Sequence, residues 1–247
     1  MTGPIVVDVG NTRIKWGRCA DGRVVETAAL PPNDTDAWQQ QVDRWAARAF
    51  AWVVSGVHPG HRDTLAAWLR PHAAEVRVLD SYRQLPLNVR LDEPDKAGID
   101  RLLNAVAANT RRLAGRRAVV VDVGSAVTVD LLDDTGAFRG GAIFPGLRLM
   151  ARALHEHTAL LPLIGIDMPQ RPPGTSTAQA IHAGVFQAVL GGVRQIVAEY
   201  GVGSATVYIT GGDGPMLLAA DASLGELWPE MTLHGILHSV AGSIAHG

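Results

Sequence analysis

The chain has 247 residues, 22 Lys and Arg against 24 Asp and Glu, and a formal net charge of −2. With no excess of positive charge, neither nucleic acid nor an anionic membrane is indicated as a partner. The single cysteine, Cys19, excludes an intrachain disulfide and fits a reducing compartment.

Hydrophobic residues make up 47% and charged residues 19%, the balance of a soluble globular chain able to bury a sizeable core. No apolar run is expected to reach the ~20 residues that span a bilayer. The chain begins directly with a strand, without a basic and then apolar leader. A cytoplasmic location is therefore expected.

Ile5 to Val9 is rich in β-branched residues and predicts a buried strand. A turn at Asp8-Val9-Gly10-Asn11-Thr12 leads into strands at 14–17 and 24–30, hinged at Asp21-Gly22. Pro31-Pro32-Asn33-Asp34 breaks the sheet. Asp34, Thr35 or Asp36 can cap a helix whose apolar positions are Trp38, Val42, Trp45, Ala46 and Ala49. A strand at Ala51–Val57 ends at His58-Pro59-Gly60. A helix carrying Leu65, Trp68 and Leu69 follows, then a short strand at Val76–Leu79. This β-α-β-α-β order predicts an α/β layered domain.

Residues 81–96 are polar and punctuated by proline, so a boundary is expected there, dividing the chain into 1–90 and 91–247. A helix from about Gly98 to Leu113 presents Leu102, Leu103, Val106 and Ala107 on one face. The stretch Val119-Val120-Val121-Asp122-Val123-Gly124-Ser125-Ala126-Val127-Thr128-Val129-Asp130 then repeats the opening pattern of strand, Asp-x-Gly turn and strand. Asp133-Asp134-Thr135-Gly136 is a turn, and Gly140–Leu147 ends a strand and opens a helix to about His155. Residues 162–176, with Pro162, Pro169, Pro172 and Pro173, read as a loop. Thr177 to Tyr200 predicts a long helix, apolar nearly all round in its middle and so buried on more than one side, as against a second subunit. Ala205–Thr210 is the last clear strand, turned by Gly211-Gly212-Asp213-Gly214, and a helix near 233–245 follows.

The two Asp-x-Gly turns carry the chemistry. Glycine lets a phosphate approach the backbone, turn N–H groups form an anion-binding concavity, and Asn11, Thr12, Ser125 and Thr128 add donors. An aspartate beside bound phosphates repels them unless a cation lies between, so Asp8 and Asp122 imply a metal. One such turn alone is a common turn; two in matching settings suggest a duplicated half-domain with a ligand between the halves. The glycine turn at Thr210–Gly214 suits an adenine and ribose.

Gly98-Ile99-Asp100-Arg101 opens a helix. Its carboxylate can take a proton from a substrate hydroxyl while the guanidinium holds a substrate carboxylate. It can equally complement the helix dipole, the reading that spacing alone favours. His155-Glu156-His157 lacks zinc-site spacing, and the six tryptophans sit where a core would use them. Gly-x4-Gly-Lys-Ser/Thr, Gly-x-Gly-x-x-Gly and Gly-x-Ser-x-Gly are all absent.

With these turns the chain resembles the acetate and sugar kinase/actin superfamily, and within it the type III pantothenate kinases. The resemblance rests on Asp8-Val-Gly-Asn-Thr12, Gly98-Ile-Asp-Arg101, Asp122-Val-Gly-Ser-Ala-Val-Thr128, Gly140-Gly-Ala-Ile-Phe-Pro-Gly146, Thr158-Ala-Leu-Leu-Pro162, Thr177-x-x-Ala-Ile181 and Thr210-Gly-Gly212. It implies an α/β fold of duplicated actin-like, ribonuclease H-like halves with a central cleft. It implies ATP-dependent phosphorylation of pantothenate, the first step of coenzyme A synthesis, by a cytoplasmic homodimer with its site at the subunit interface.

The resemblance assigns ATP to Asp8, Val9, Gly10, Asn11, Thr12, Arg13, Ile14, Lys15 and Ser125, and Gly211 and Gly212 join them. Pantothenate falls to Gly98, Ile99, Asp100 and Arg101, with Thr177 from the partner subunit, and Asp100 is the general base. A monovalent cation, K+ or NH4+, is placed at Asp122, and Mg2+ at Asp8 through water. Ser125 stands where many members have threonine, and Leu91 where many have a substrate-contacting tyrosine. The alternatives are a non-catalytic regulatory protein on the same fold, like the Bvg accessory factors, and a kinase of another small hydroxy acid or sugar.

Overall fold

In the computed structural model, which describes residues 2–201 and 205–244, Ile5, Val6, Val7 and Val9 are fully buried. Their strand, β1 (Thr2–Val9), takes the centre of a sheet because apolar residues on both of its faces need cover. β2 (Ile14–Ala20) returns antiparallel to it, and β3 (Arg23–Leu30) pairs with β2. Asp21 and Gly22 join β2 to β3 with φ of 50° and 72°, the left-handed pair that a two-residue hairpin needs.

α1 (Thr35–Arg44) is capped by Asp34, whose carboxylate accepts from the Ala37 N–H at 2.9 Å. The helix was expected to continue through Ala49, but it stops at Arg44. Ala46 turns left-handed at φ 48°, and Ala47–Ala49 form a short 3-10 turn. The turn tucks Ala47 under Trp52, whose indole donates to the Ala47 carbonyl at 3.3 Å. The tryptophans are core, as their spacing suggests: Trp16 meets Trp52 edge-on at 4.7 Å and Trp38 meets Trp68 at 5.4 Å.

β4 (Ala51–Gly56), α2 (Pro59–Leu69) and β5 (Glu75–Leu79) complete a sheet of order β3-β2-β1-β4-β5. α3 (Ile99–Arg111) follows the connector.

β6 (Ala118–Val123), β7 (Ala126–Leu132) and β8 (Phe138–Pro145) form a second antiparallel meander. α4 (Leu147–Glu156) and α5 (Thr177–Glu199) precede β9 (Thr206–Thr210), which pairs parallel to β6. α6 (Gly214–Ala220) and the short β10 (Glu226–Leu227), which the sequence reading did not predict, end this sheet of order β10-β9-β6-β7-β8. Strand for strand, the two sheets share one topology, and the chain is a duplicated α/β half-fold.

α5 runs against the expectation about bilayer-spanning length. By length and composition it is the one described helix that meets the requirement for crossing a membrane. However, Ile181, Val185, Phe186, Val189, Leu190 and Val193 are buried in the core of the second sheet's helical layer.

α7 (Met231–Ile244) returns to the first sheet and packs on α3. A Cβ on Gly235 would lie 2.0 Å from the Leu103 carbonyl, so the two helices touch backbone to backbone. Thr232 donates to the buried Asn104 side chain at 2.9 Å. The compact units are accordingly Met1–Arg111 with Glu230–Gly247, and Arg112–Pro229. This division differs from the one expected at 90/91, because α3 and α7 are a pair and both cover the first sheet.

Candidate active site

In the first unit, Asp8 and Lys15 are cross-strand partners, with Val9 opposite Ile14. The Gly10 N–H donates to the Arg13 carbonyl at 3.1 Å and closes the turn. Asn11, Thr12 and Arg13 form its exposed tip. Val9 and Ile14 are fully buried, so they offer a ligand only backbone. A Cβ on Gly56, at φ +146°, would lie 2.2 Å from the Val9 carbonyl, so β4 ends tightly against the turn.

Asp100 stands in the first turn of α3. Its Oδ1 accepts from the Arg101 N–H at 2.8 Å, and a Cβ on Gly98 would come within 2.7 Å of that same oxygen. Any side chain at 98 would therefore crowd the carboxylate. Asp100 and Arg101 are both part-buried, and Ile99 anchors the turn in the core. This geometry is that of an acid complementing a helix N-terminus.

In the second unit the Gly211 turn closes on Asp122, and the start of α4 at Gly146 closes on the Gly124-Ser125 turn that follows it. A Cβ on Gly211, at φ +87°, would lie 2.4 Å from the Val123 carbonyl and 2.5 Å from Asp122 Oδ1. A Cβ on Gly146 would lie 2.2 Å from the Gly124 carbonyl, and the Gly146 N–H donates to the Ser125 carbonyl at 3.0 Å. Gly146 caps α4 without any side-chain acceptor, so the first N–H groups of that helix open beside the Ser125 turn. Ser125 itself is exposed, and Gly212 is exposed with open space around its Cα. The result is a backbone-lined concavity suited to phosphate oxygens.

Two features of this site went unread in the sequence. Asp213 is buried, its N–H donates to the Val123 carbonyl at 3.0 Å, and Arg148 of α4 holds its carboxylate at 2.8 Å. Asp130 is also buried, opposite Gly141 on β8. An acid inside an otherwise apolar strand was the available signal for Asp130. A pair 65 residues apart left none for Asp213 and Arg148.

Thr177 opens α5 and is exposed. It lines an apolar groove of about 730 Å3 with Pro145, Met150, Leu154, Leu161 and Gly184. The structure therefore brings Asp122, Ser125, Gly211 and Gly212 together. It sets Thr177 in a groove that starts at Pro145, the residue before Gly146.

Among the described residues no three His, Cys, Asp or Glu side chains gather as a metal site. A cation at Asp122 or Asp8 thus has to draw further ligands from elsewhere, and nucleotide phosphate oxygens suit that need. The Asp122 side fits such an ion. The carboxylate lies against the glycine backbone at 211, and the Thr128 hydroxyl, on the residue opposite, is buried with no hydrogen bond among the described residues.

Solved structures with this fold include a protein described as a Baf-family transcriptional activator from Campylobacter jejuni. It has a TM-score of 0.65 at 18% identity, with 98% of this chain and 99% of that one covered. A protein described as a 2-dehydro-3-deoxygalactonokinase from Sinorhizobium meliloti gives 0.61 at 13% identity, with 99% and 100% covered. These likenesses establish the fold, the duplicated, actin-like α/β one described above. Residues 4–199 match the family model of type III pantothenate kinases. A type III pantothenate kinase of Chlorobium luteolum is 34% identical over 249 residues, covering 94% of this chain and 90% of that protein. The chain belongs to the type III pantothenate kinase family. Membership implies ATP and pantothenate as substrates and a divalent metal ion with the ATP.

Proposed function

We propose that this chain transfers the γ-phosphate of ATP to the primary hydroxyl of pantothenate, giving 4′-phosphopantothenate, with Asp100 as the general base. The observation that carries this reading is the close approach of Gly211 to Asp122 and of Gly146 to the Gly124-Ser125 turn, a backbone cradle for phosphate, together with a second turn of the same pattern at Asp8–Lys15 in the first unit. Asp8 would hold the Mg2+ that accompanies ATP, and Lys15 beside it adds positive charge to the same turn. Ser125 and the N-terminal N–H groups of α4 donate to phosphate oxygens. Gly211 and Gly212 lie along the adenine and ribose. Asp122 holds the monovalent cation, K+ or NH4+.

Gly98, Ile99 and Arg101 hold pantothenate, with the Arg101 guanidinium on its carboxylate. Asp100 accepts the hydroxyl proton as the new O–P bond forms and the bond to ADP breaks. When bound, Mg2+ neutralises charge on the transferring phosphoryl group. Water exclusion and alignment of the two substrates supply the rest of the rate.

The protein works as a water-soluble cytoplasmic homodimer. The outward side of α5 supports this, because Thr177, Ala180, Gly184 and Ala188 are exposed along the apolar groove that Met150 and Leu154 border. A second copy is the occupant this reading gives the groove, and Thr177 then serves the partner's site.

ADP release with and without pantothenate, in potassium and then in sodium, tests the reaction. Turnover is expected only with pantothenate, and Asp100→Asn should abolish it while ATP binding survives. Full activity of Asp100→Asn removes the base from the mechanism. Turnover with another hydroxy acid but not with pantothenate replaces the substrate.

A further inference from the structure

The β6–β7 hairpin places Asp122 directly opposite Thr128. Directly opposed residues of an antiparallel pair project from the same face, with Cβ atoms about 4.5–5.5 Å apart. The same row continues to Thr210 on β9 and Ile143 on β8. The intervening Val127 and Val129 point the other way and join the core with α4 and α5.

Thr128 stands between two valines in a strand where valine would fit in shape and in β propensity. Its hydroxyl is nevertheless threonine's, buried, and without a hydrogen-bond partner among the described residues. An unsatisfied buried hydroxyl costs about 1–3 kcal/mol, which valine would avoid. A cation held at Asp122 would also meet this hydroxyl oxygen on the facing residue, whereas an anion there would be repelled by the carboxylate. The backbone of Gly211 runs close beside that carboxylate, and any larger side chain there would collide with it.

We infer that Thr128 is a positioning residue of the monovalent-cation site. Its hydroxyl oxygen ligates the ion that Asp122 holds and fixes that ion beneath the nucleotide phosphates. The inference rests on the reading of Asp122 given above and adds a second protein oxygen to it.

The test is a potassium titration followed by thermal midpoint, with choline chloride holding ionic strength constant and Mg2+ with a non-hydrolysable ATP analogue present. Wild type, Thr128→Val, Thr128→Ser and Asp122→Asn are compared. Thr128→Val is expected to keep or raise the midpoint in choline and to need about tenfold more potassium, or greater, for its shift. Thr128→Ser, which keeps the oxygen, should titrate close to wild type. A merely structural threonine would shift the midpoint equally in both salts and leave the titration unchanged; that result overturns the inference. If Asp122→Asn loses the potassium response and Thr128→Val retains it, Asp122 stands and Thr128 falls. If wild type shows no potassium response, both fall together.

Discussion

Arg148 reaches from α4 to the buried carboxylate of Asp213, its Nη1 at 2.8 Å from Oδ2. The pair is asymmetric: the Asp213 side chain is 3% exposed and that of Arg148 67%. An exposed guanidinium thus neutralises a charge that solvent does not reach. Through the Asp213 N–H on the Val123 carbonyl, it also ties the third glycine turn to the end of β6.

Removing Arg148 leaves the Asp213 carboxylate without that partner, which costs more than an ordinary surface ion pair is worth. Arg148→Met should destabilise the protein by about 1–2 kcal/mol, discounted for the exposure of the arginine. It should also weaken ATP binding, because the Gly211 turn loses its brace. Denaturant unfolding and nucleotide titration of the same variant measure both effects, and unchanged values in each would show that the pair is incidental.

Gly211 and Gly212 adjoin in sequence but not in constraint. At Gly211 a methyl group meets a left-handed backbone, the Val123 carbonyl and the Asp122 carboxylate; at Gly212 it meets nothing within 4 Å. Gly211→Ala should cost about 1–3 kcal/mol of stability and should abolish detectable ATP binding. Gly212→Ala should stay within about 0.5 kcal/mol of wild type in stability. Equal unfolding midpoints for the two variants would contradict the arrangement of turns described for the second unit.

Gly184 tests the proposed homodimer. No atom stands within 4 Å of the position its Cβ would take, so a larger side chain there is harmless to the isolated chain. Gly184→Lys should therefore preserve the fold by circular dichroism and halve the mass seen by light scattering. Retention of the wild-type mass would move the subunit interface to another face.

The acid sensitivity of the first unit follows from α7. Burial, then Arg111 and His238, hold the His234 imidazole below its ordinary value of 6.5, and burial does the same for His238. Glu230 acts in the opposite direction on His234. A lowered folded value means that the unfolded chain binds more protons in the region near and below 6.5. The stability contributed by the neutral rings is complete above that value and is lost as pH falls through the lowered ones. The thermal midpoint should drop between about pH 7.5 and about pH 5.5, and the double variant His234→Gln, His238→Gln should flatten that slope. An unchanged slope would place the acid sensitivity elsewhere.

The repeated strand, Asp-x-Gly turn and strand was legible in the sequence because β-branched runs on either side of a glycine turn leave few alternatives. The end of α1 was not: Trp45, Ala46 and Ala49 keep the helical period, but burying Ala47 beneath Trp52 overrides it. The strand β10 is two residues long and carries no pattern of its own. Proline content drew the expected boundary to the connector at 81–96, whereas the pairing of α3 with α7 is fixed by contacts such as Gly235 on Leu103 that no local window contains. In the site, turns announced themselves through glycine. The Thr128 hydroxyl reads in the sequence only as one more donor near the turn, since strand register alone places it opposite Asp122.

The closing helix also bears on synthesis. Because α7 shelters the sheet that begins the chain, the N-terminal unit emerges from the ribosome unfinished and waits for the whole of the intervening unit to be made. A premature stop shortly before Met231 would therefore not trim the later half; it would strip the earlier one of its cover and expose apolar strands to aggregation. The intervening unit, by contrast, has all its own strands in hand by Leu227 and is free to fold first.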